Sequence, residues 1–229
     1  MKVWTKIATL GLALALSACV SSEPASRGVS DDALTLASRG TGAIPQGEGP
    51  RIVAPLYTVR GVQVDVPREL RVSEANSYYP MADIVWRGDP LGDRYSQITA
   101  IFQAAAERAT TTMQGPREAV VSIRLVRFHG VTERTRYTVG GNHNMVFDLT
   151  VLDAATGAVI DGPRRIEADA RAAGGQAAIA EEQAGRTQKV VVTEKLVETL
   201  RRELSGAVTD PALVARAMQN PGQPVLVSR

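Results

Sequence analysis

The chain has 229 residues, of which 44% are hydrophobic and 4% aromatic, and it carries 26 basic and 24 acidic side chains. This content can build one packed core, mainly from aliphatic residues. The balance of charge excludes the concentrated basic footprint of a nucleic-acid-binding protein, and the short arginine pairs at 164–165 and 201–202 have acidic neighbours. Binding to nucleic acid is therefore not expected.

The first nineteen residues are typical of an export signal. Lys2 and Lys6 precede an apolar run over 7–16, and the tetrapeptide Leu-Ser-Ala-Cys follows at 16–19. The run is too short for a stable transmembrane helix, which takes about 20 apolar residues. The sequence predicts a signal peptide over 1–18 that is removed. Because residues 16–19 resemble a bacterial lipobox, Cys19 is expected to carry lipid, palmitate included.

Lipidation of Cys19 would leave the chain without a free cysteine and would supply its membrane anchor. Cys19 is the only cysteine, so no disulfide, thiol nucleophile or cysteine-based metal site is expected. More than one acyl chain makes a lasting membrane anchor. Val20 follows in place of the aspartate that resembles an inner-membrane retention signal, which predicts the outer membrane, facing the periplasm. Loss of Lys2 and Lys6 with the signal leaves equal numbers of basic and acidic side chains.

Composition divides the mature chain into three parts. Residues 19–50 are rich in Ser, Gly, Ala and Pro, which predicts a flexible tether with at most a brief helix over 31–38. Residues 51–209 are predicted to form a single domain. Asp210 and Pro211 are typical of a helix N-cap and first helical position, so 210–229 is expected to form a short C-terminal helix and a loose tail.

Hydrophobic periodicity predicts the elements of the domain. Val62, Val64 and Val66 alternate with polar residues as in a half-buried strand, and a short apolar run follows at 84–86. Apolar residues three or four apart predict a helix over about 93–113. Further strands are expected at 119–128, 134–139, 145–152, 158–160 and 165–170, with a break at Gly162-Pro163. A second helix is expected over about 185–204, with an alternative start near Gln176.

This order of elements predicts the α+β class. The expected architecture is a mainly antiparallel sheet with two principal amphipathic helices packed on one face.

Three aromatic residues are candidate partner contacts. Trp86 lies in the segment 86–94, where a tryptophan flanked by Arg and Asp is typical of an interface hot spot. The structural interpretation, which the sequence favours, places Trp86 between sheet and helix with Asp93 capping that helix. Tyr78 and Tyr79 are expected either to form an exposed contact or to cover the edge of the core.

No catalytic set is visible in the sequence. His129 and His143 lie in the β-rich middle and approach each other if their strands pair, but they lack a metal-binding spacing and adjoin turn residues. We interpret both as structural or surface histidines. Gly140-Gly141-Asn142 precedes a strand, whereas a phosphate cradle uses a helix N-terminus, so a turn or bulge is expected. The chain is predicted not to be an enzyme and to need no cofactor or metal.

The run at 84–86, the strands 119–128 and 145–152, the Ala155-Thr156-Gly157 turn and the final helix follow one another in this order. In these features, residues 84–204 resemble a group of small bacterial envelope lipoproteins with a domain of unknown function and, more distantly, the auxiliary lipoproteins of ABC-type lipid transport systems. The resemblance implies a non-catalytic adaptor or accessory subunit of a transport or secretion assembly, with self-association into a homo-oligomer left open. The alternative is a periplasm-facing carrier of a lipid or other apolar ligand.

Overall fold

The computed structural model describes residues 52–207 and 226–227. Eight strands lie in these ranges: β1 (Ile52–Pro55), β2 (Tyr57–Asp65), β3 (Ile84–Val85), β4 (Arg117–His129), β5 (Gly141–Asp153), β6 (Val159–Ala172), β7 (Ser205–Ala207) and β8 (Leu226–Val227). The same ranges contain four helices: α1 (Arg94–Thr110), α2 (Glu133–Arg136), α3 (Gly175–Gln183) and α4 (Gln188–Glu203).

The strands form one large sheet and one small sheet. In the large sheet the order is β2, β4, β5, β6, and the short β3 continues beside β4 beyond the end of β2. β5 runs antiparallel to both of its neighbours, whereas β2 and β3 run parallel to β4 because α1 returns the chain across the sheet. β7, β1 and β8 form the small antiparallel sheet. The predicted α+β class with mainly antiparallel pairing is confirmed.

The core lies between one face of the large sheet and the two long helices, α1 and α4. Inward-facing residues alternate along β4, β5 and β6, as the period-2 pattern requires. Each helix contributes a stripe of residues three or four apart to the same cluster, including Ile98, Phe102, Leu196 and Leu200. Packing of both principal helices on one face agrees with the sequence-based prediction.

The two ends of α1 are satisfied by side chains. At the start, Asp93 is the N-cap and its carboxylate accepts a hydrogen bond of 3.0 Å from the Tyr95 amide, as predicted. At the end, Arg201 of α4 donates to the carbonyls of Arg108 and Ala109 at 3.0 and 3.3 Å. The last carbonyls of a helix lack partners within the helix, so Arg201 supplies them and fastens α4 to α1.

The strand predicted at 134–139 is wrong. Thr132 caps the short helix α2, because its hydroxyl accepts a hydrogen bond from the Thr135 amide at 3.3 Å. Glu133 in the first turn and basic residues in the last turn complement the helix dipole. The alternation of side chains at 134–139 therefore marks a helical turn followed by a loop, and the next strand begins at Gly141.

Two other boundaries differ from the prediction. Gly162 and Pro163 do not break the chain into two strands, since β6 runs through them and shifts in its register against β5 accommodate the irregularity. The second helical region is two helices, because Gly185 adopts a positive φ of 78° after α3 and Thr187 then caps α4.

Several predicted segments lie outside the described residues. These are the signal peptide over 1–18, the lipidated Cys19 with its tether over 19–50, the brief helix over 31–38 and the helix after Asp210. Among the helices of the described ranges, none combines the length and hydropathy needed to cross a bilayer.

Candidate functional site

A groove of about 550 Å³ contains both tyrosines that the sequence indicated as partner contacts. One wall is the loop 78–81, which precedes β3, and the other is formed by residues 139–141, which lead from the loop after α2 into the first residue of β5. The floor is formed by the ends of β4 and β5 that carry Arg127, His129, Asn142 and Asn144. We call this surface the 78–81 groove.

The rim of the 78–81 groove is apolar and exposed. Tyr79 is 89% exposed, Met81 90% and Val139 75%, and Tyr78 beside them is 41% exposed. Single exposed apolar residues are ordinary in soluble domains, but several around one hollow mark a surface that can bury them against a ligand or partner. The rim is therefore the strongest candidate contact surface among the described residues.

The loop 78–81, which carries Tyr78, Tyr79 and Met81, is held in place by contacts from α2 and from Thr132, the N-cap residue of α2. Thr132 donates to the Ser77 carbonyl at 2.9 Å, and the Arg134 amide donates to the Asn76 side chain at 2.8 Å. The Arg134 guanidinium lies 5.0 Å from the centroid of the Tyr78 ring, a cation–π contact. Because of these contacts the wall at 78–81 is formed in advance of any ligand, while Tyr79 remains exposed.

The polar floor of the groove results from a β-bulge. The register of β4 against β5 shifts between Leu125 and Arg127, so that Leu125 and Phe128 both face the core. Arg127 and His129 are thereby directed to the opposite face of the sheet, where His129 lies across from Asn144. Without the extra residue, Arg127 would have pointed into the apolar core.

His129 orients Arg127. Its Nε2 lies close to the Ala82 carbonyl, and its Nδ1 lies 3.0 Å from Arg127 Nη2. Arginine can only donate, so Nδ1 accepts from Arg127 and Nε2 carries the hydrogen donated to Ala82. Burial lowers the pKa of His129 below its ordinary value, with a further contribution from the Arg127 charge, which agrees with a neutral ring.

Trp86 is not available to a partner, which corrects its assignment as a candidate contact. Its side chain is fully buried, and its ring meets Phe128 edge to face at 5.4 Å. Trp86 Nε1 donates to Asp89 at 2.8 Å, and Asp89 also accepts from Lys189 of α4 at 2.9 Å. Trp86 therefore packs in the core, in agreement with its structural interpretation from the sequence.

His129 and His143 lie on opposite faces of the large sheet. His143 faces the core together with Met145, whereas His129 pairs with Asn144 on the other face. The Val131 amide donates to His143 Nδ1 at 3.3 Å. Burial, with Arg136 nearby, lowers the pKa of His143 to about 4. Among residues 52–207 and 226–227, no three His, Cys, Asp or Glu side chains are grouped to hold a metal ion.

The glycine segment at 140–142 forms a turn into β5, as the sequence predicted. Gly140 has a positive φ of 71°, and β5 begins at the next residue. A Cβ atom on Gly140 would lie 2.7 Å from the Gly174 amide nitrogen, so the two glycine backbones are in direct contact. Sequence reasoning did not associate this turn with Tyr78 and Tyr79, although it forms the opposite wall of their groove.

Comparisons with known proteins give a family for the chain. A model of a family of unknown function, DUF6778, matches residues 57–220. The chain belongs to this family. The match covers both the large sheet and the 78–81 groove, so the groove lies in the part of the chain that defines membership. No curated protein matches the chain.

Solved structures give weaker likenesses. Protein XCC0632 from Xanthomonas campestris is 12% identical over 76% of this chain and 94% of its own, with a TM-score of 0.39. A minor lipoprotein from Acinetobacter baumannii is 9% identical over 65% and 97%, with a TM-score of 0.28. The PelC dodecamer from Paraburkholderia phytofirmans is 14% identical over 67% and 92%, with a TM-score of 0.27. All three TM-scores lie below 0.5.

Proposed function

We propose that this protein is a lipid-anchored protein of the bacterial cell envelope, and that it acts as a non-catalytic adaptor or accessory subunit of a transport or secretion assembly. Lipid on Cys19 would hold it at the outer membrane, facing the periplasm, as the residues at 16–20 indicate. The observation that carries the proposal is the exposed apolar rim of the preformed 78–81 groove.

The chemistry of the rim suits a protein partner. Tyrosine and methionine are enriched at interfaces because they bury large areas, and tyrosine does so with few rotatable bonds to immobilise. Tyr79, Met81 and Val139 present such area from two walls, and the loop contacts of Thr132 and Arg134 reduce the entropy lost on binding. A partner that inserts apolar side chains between these walls would therefore gain affinity at little cost in reorganisation.

The polar groups in the groove do not support catalysis. His129 is the histidine that lines the groove, and neither of its ring nitrogens is free: Nδ1 contacts Arg127, and Nε2 contacts the Ala82 carbonyl. A general base needs a free nitrogen within hydrogen-bonding distance of the proton that it removes. The hydroxyls of Thr132 and Thr135 contact each other at 3.2 Å and the backbone of the neighbouring loop. This favours a binding surface.

The alternative function, a carrier for a lipid or other apolar ligand, would require a cavity between the sheet and the helices. Side chains fill that space in the described part of the chain: the rings of Phe102 and Phe147 meet at 5.3 Å, and Phe102 also contacts Phe128 at 6.2 Å. The 78–81 groove and a second hollow of about 490 Å³ beside β2 are both open to solvent. The adaptor function is therefore preferred.

Site-specific photo-crosslinking in cells tests the proposal. A photoreactive amino acid replaces Tyr79 in the full-length, lipidated chain, and the crosslinked products are identified by mass spectrometry. Leu91 is the matched control position, because it is 82% exposed and does not line the groove. We expect a second envelope protein to be crosslinked from position 79 and not from position 91, and Met81→Ser to abolish that product.

Three results would contradict the adaptor function or the role of the rim in it. Crosslinks from position 79 that contain only further copies of this chain would indicate self-association. Crosslinks to lipid alone would favour the carrier. An unchanged product in the Met81→Ser variant would show that the rim does not hold the partner. A Cys19→Ser variant, tested in the same cells, is expected to lose both membrane attachment and the crosslink.

A further inference from the structure

We infer that the 78–81 groove binds an acidic, apolar peptide segment of the partner, and that Arg127, positioned by His129, receives a carboxylate of that segment. This inference rests on the proposed function and adds to it the chemistry of the partner.

Arg127 is an exposed cation without a carboxylate partner among the described residues. Two other arginines on the same face of the sheet are paired: Arg124 contacts Asp65 at 2.6 Å and Glu69 at 3.0 Å, and Arg165 contacts Asp148 at 2.9 Å. The polar contact that the structure gives Arg127 is the one to His129 Nδ1. Its charge is therefore left for a ligand.

Two carboxylates on the elements around the groove are engaged by other groups. Asp83, the residue directly before β3, accepts a 2.8 Å hydrogen bond from the Arg71 amide and lies 3.6 Å from the Arg71 guanidinium. Asp169, across from Asn144 on β6, accepts a 2.7 Å hydrogen bond from the Asn144 amide group. The residues that line the groove include no aspartate or glutamate.

The contact with His129 prepares Arg127 for an anion. A guanidinium has five N–H donors in a fixed plane, and one of them is used by the neutral imidazole. Because His129 is itself held by the Ala82 carbonyl, it restricts the rotation of the arginine side chain without neutralising its charge. The remaining N–H groups can form the paired hydrogen bonds that a carboxylate accepts.

The distribution of the other groups favours a peptide over a lipid. Asn142 and Asn144 lie on the floor beside Arg127, and an asparagine amide can both donate to and accept from a peptide backbone. Met81 and Val139 are both exposed and line the same groove, so both can contact apolar side chains of an extended segment. Asn144 already donates to Asp169, so Asn142 is the amide that an acyl chain would cover without offering a hydrogen bond, which costs free energy.

Fluorescence anisotropy with two synthetic peptides tests the inference. The probes are fluorescein-labelled octapeptides rich in leucine and valine, one with a central glutamate and the other with glutamine at the same position. The protein is the lipidated full-length chain in detergent. We expect the glutamate peptide to bind about tenfold more tightly, as one charge-assisted pair of hydrogen bonds provides.

Variants separate the roles of the residues. Arg127→Gln should remove the preference for glutamate, whereas Arg124→Gln, on the same strand and face, should retain it. His129→Gln should reduce the preference, because the guanidinium is no longer held. Met81→Ser should weaken the binding of both peptides equally.

The outcomes distinguish this inference from the proposed function. Equal binding of the two peptides, or an unchanged preference in Arg127→Gln, would overturn the role of Arg127 and leave the groove as a docking site. Binding of neither peptide would overturn the inference, and the crosslink from position 79 would then decide the adaptor function alone. Saturable binding of a fluorescent anionic phospholipid that is lost in Arg127→Gln, without peptide binding, would assign the groove to lipid.

Discussion

Glu74 holds the buried guanidinium of Arg94 through two hydrogen bonds, of 2.7 Å to Nε and 2.9 Å to Nη2. Arg94 is 4% exposed at the start of α1, and its Nη1 donates to the Asp89 and Pro90 carbonyls and to Gln97. The arginine thus joins the loop before β3, the loop after β3 and the first turn of α1. The loop that carries Tyr78 and Tyr79 begins only four residues beyond Glu74.

Glu74→Ala is expected to destabilise the protein by about 3 kcal/mol, since removing one partner of a buried ion pair leaves a charge uncompensated. This cost is at the low end for breaking a buried ion pair, because Glu74 is partly exposed and Arg94 keeps its other hydrogen-bond acceptors. Urea denaturation followed by the fluorescence of Trp86 would measure the change. Glu69→Ala is the control, because its ion pair with Arg124 is exposed and contributes less than about 1 kcal/mol. Equal effects of the two substitutions would show that burial of Arg94 is unimportant.

Gly88→Ala is expected to destabilise the fold by about 1–3 kcal/mol, the cost of overpacking. A Cβ atom at Gly88 would lie 2.4 Å from the ring of Trp86, which is fully buried and has no space to move. Gly92→Ala is the comparison, because its Cβ would lie 3.2 Å from Gln97 Nε2 and 3.9 Å from the Pro90 carbonyl oxygen, so it requires only a small shift of one side-chain end. Thermal unfolding of the two variants checks this, and a loss as large in Gly92→Ala would rule out the steric explanation.

Most of the fold could be predicted from local patterns. The 3.6-residue period of α1 and the alternation along β4 and β5 are determined by which face each residue buries, so they are legible in the sequence. The prediction of a strand at 134–139 was wrong because the Thr132 cap and the acidic Glu133 in the first turn stabilise a helix there, and a short alternating pattern does not outweigh them. The continuous β6 was mispredicted because pairing with β5 overrides the tendency of Gly162-Pro163 to end a strand.

Only part of the candidate site could be predicted from the sequence. Tyr78 and Tyr79 were indicated as contacts, but their groove depends on the turn at Gly140 and on the bulge at Val126, which lie far away in the chain. The bulge had a detectable signal, since Leu125 and Phe128 are both apolar with two residues between them and so break a strict alternation. For Trp86 the sequence favoured a position between sheet and helix but left a partner contact open, because an interface hot spot and a buried core residue share the same residue type.

Gly140→Ala is expected to cost more stability than Gly157→Ala, although both glycines have a φ near 70°. Alanine at Gly157 meets nothing within 4 Å, so it costs only the left-handed backbone, about 1–2 kcal/mol. At Gly140 the new Cβ would also lie 2.7 Å from the nitrogen of Gly174, and backbone atoms cannot move aside cheaply. Denaturation midpoints of the two variants give the difference. Equal costs would contradict a role for the Gly140–Gly174 contact.

Stability is expected to fall between pH 6.5 and pH 4 because of His143. The ring is fully buried, and its pKa is lowered from 6.5 to about 4 by burial and then by Arg136. The unfolded chain therefore takes up a proton at a higher pH than the folded chain. The stabilisation is complete above pH 6.5, decreases as the pH falls and is lost below pH 4, on the order of 3 kcal/mol in total.

His143→Gln tests this dependence, since glutamine can still accept from the Val131 amide but does not titrate. Urea denaturation at pH 7.5 and pH 4.5 should show a smaller difference in the free energy of unfolding for the variant than for the natural chain. His129→Gln should remove a smaller share, because burial also lowers the pKa of His129 but its ring is only partly buried. If His143→Gln retains the full difference, groups other than this ring control the response to acid.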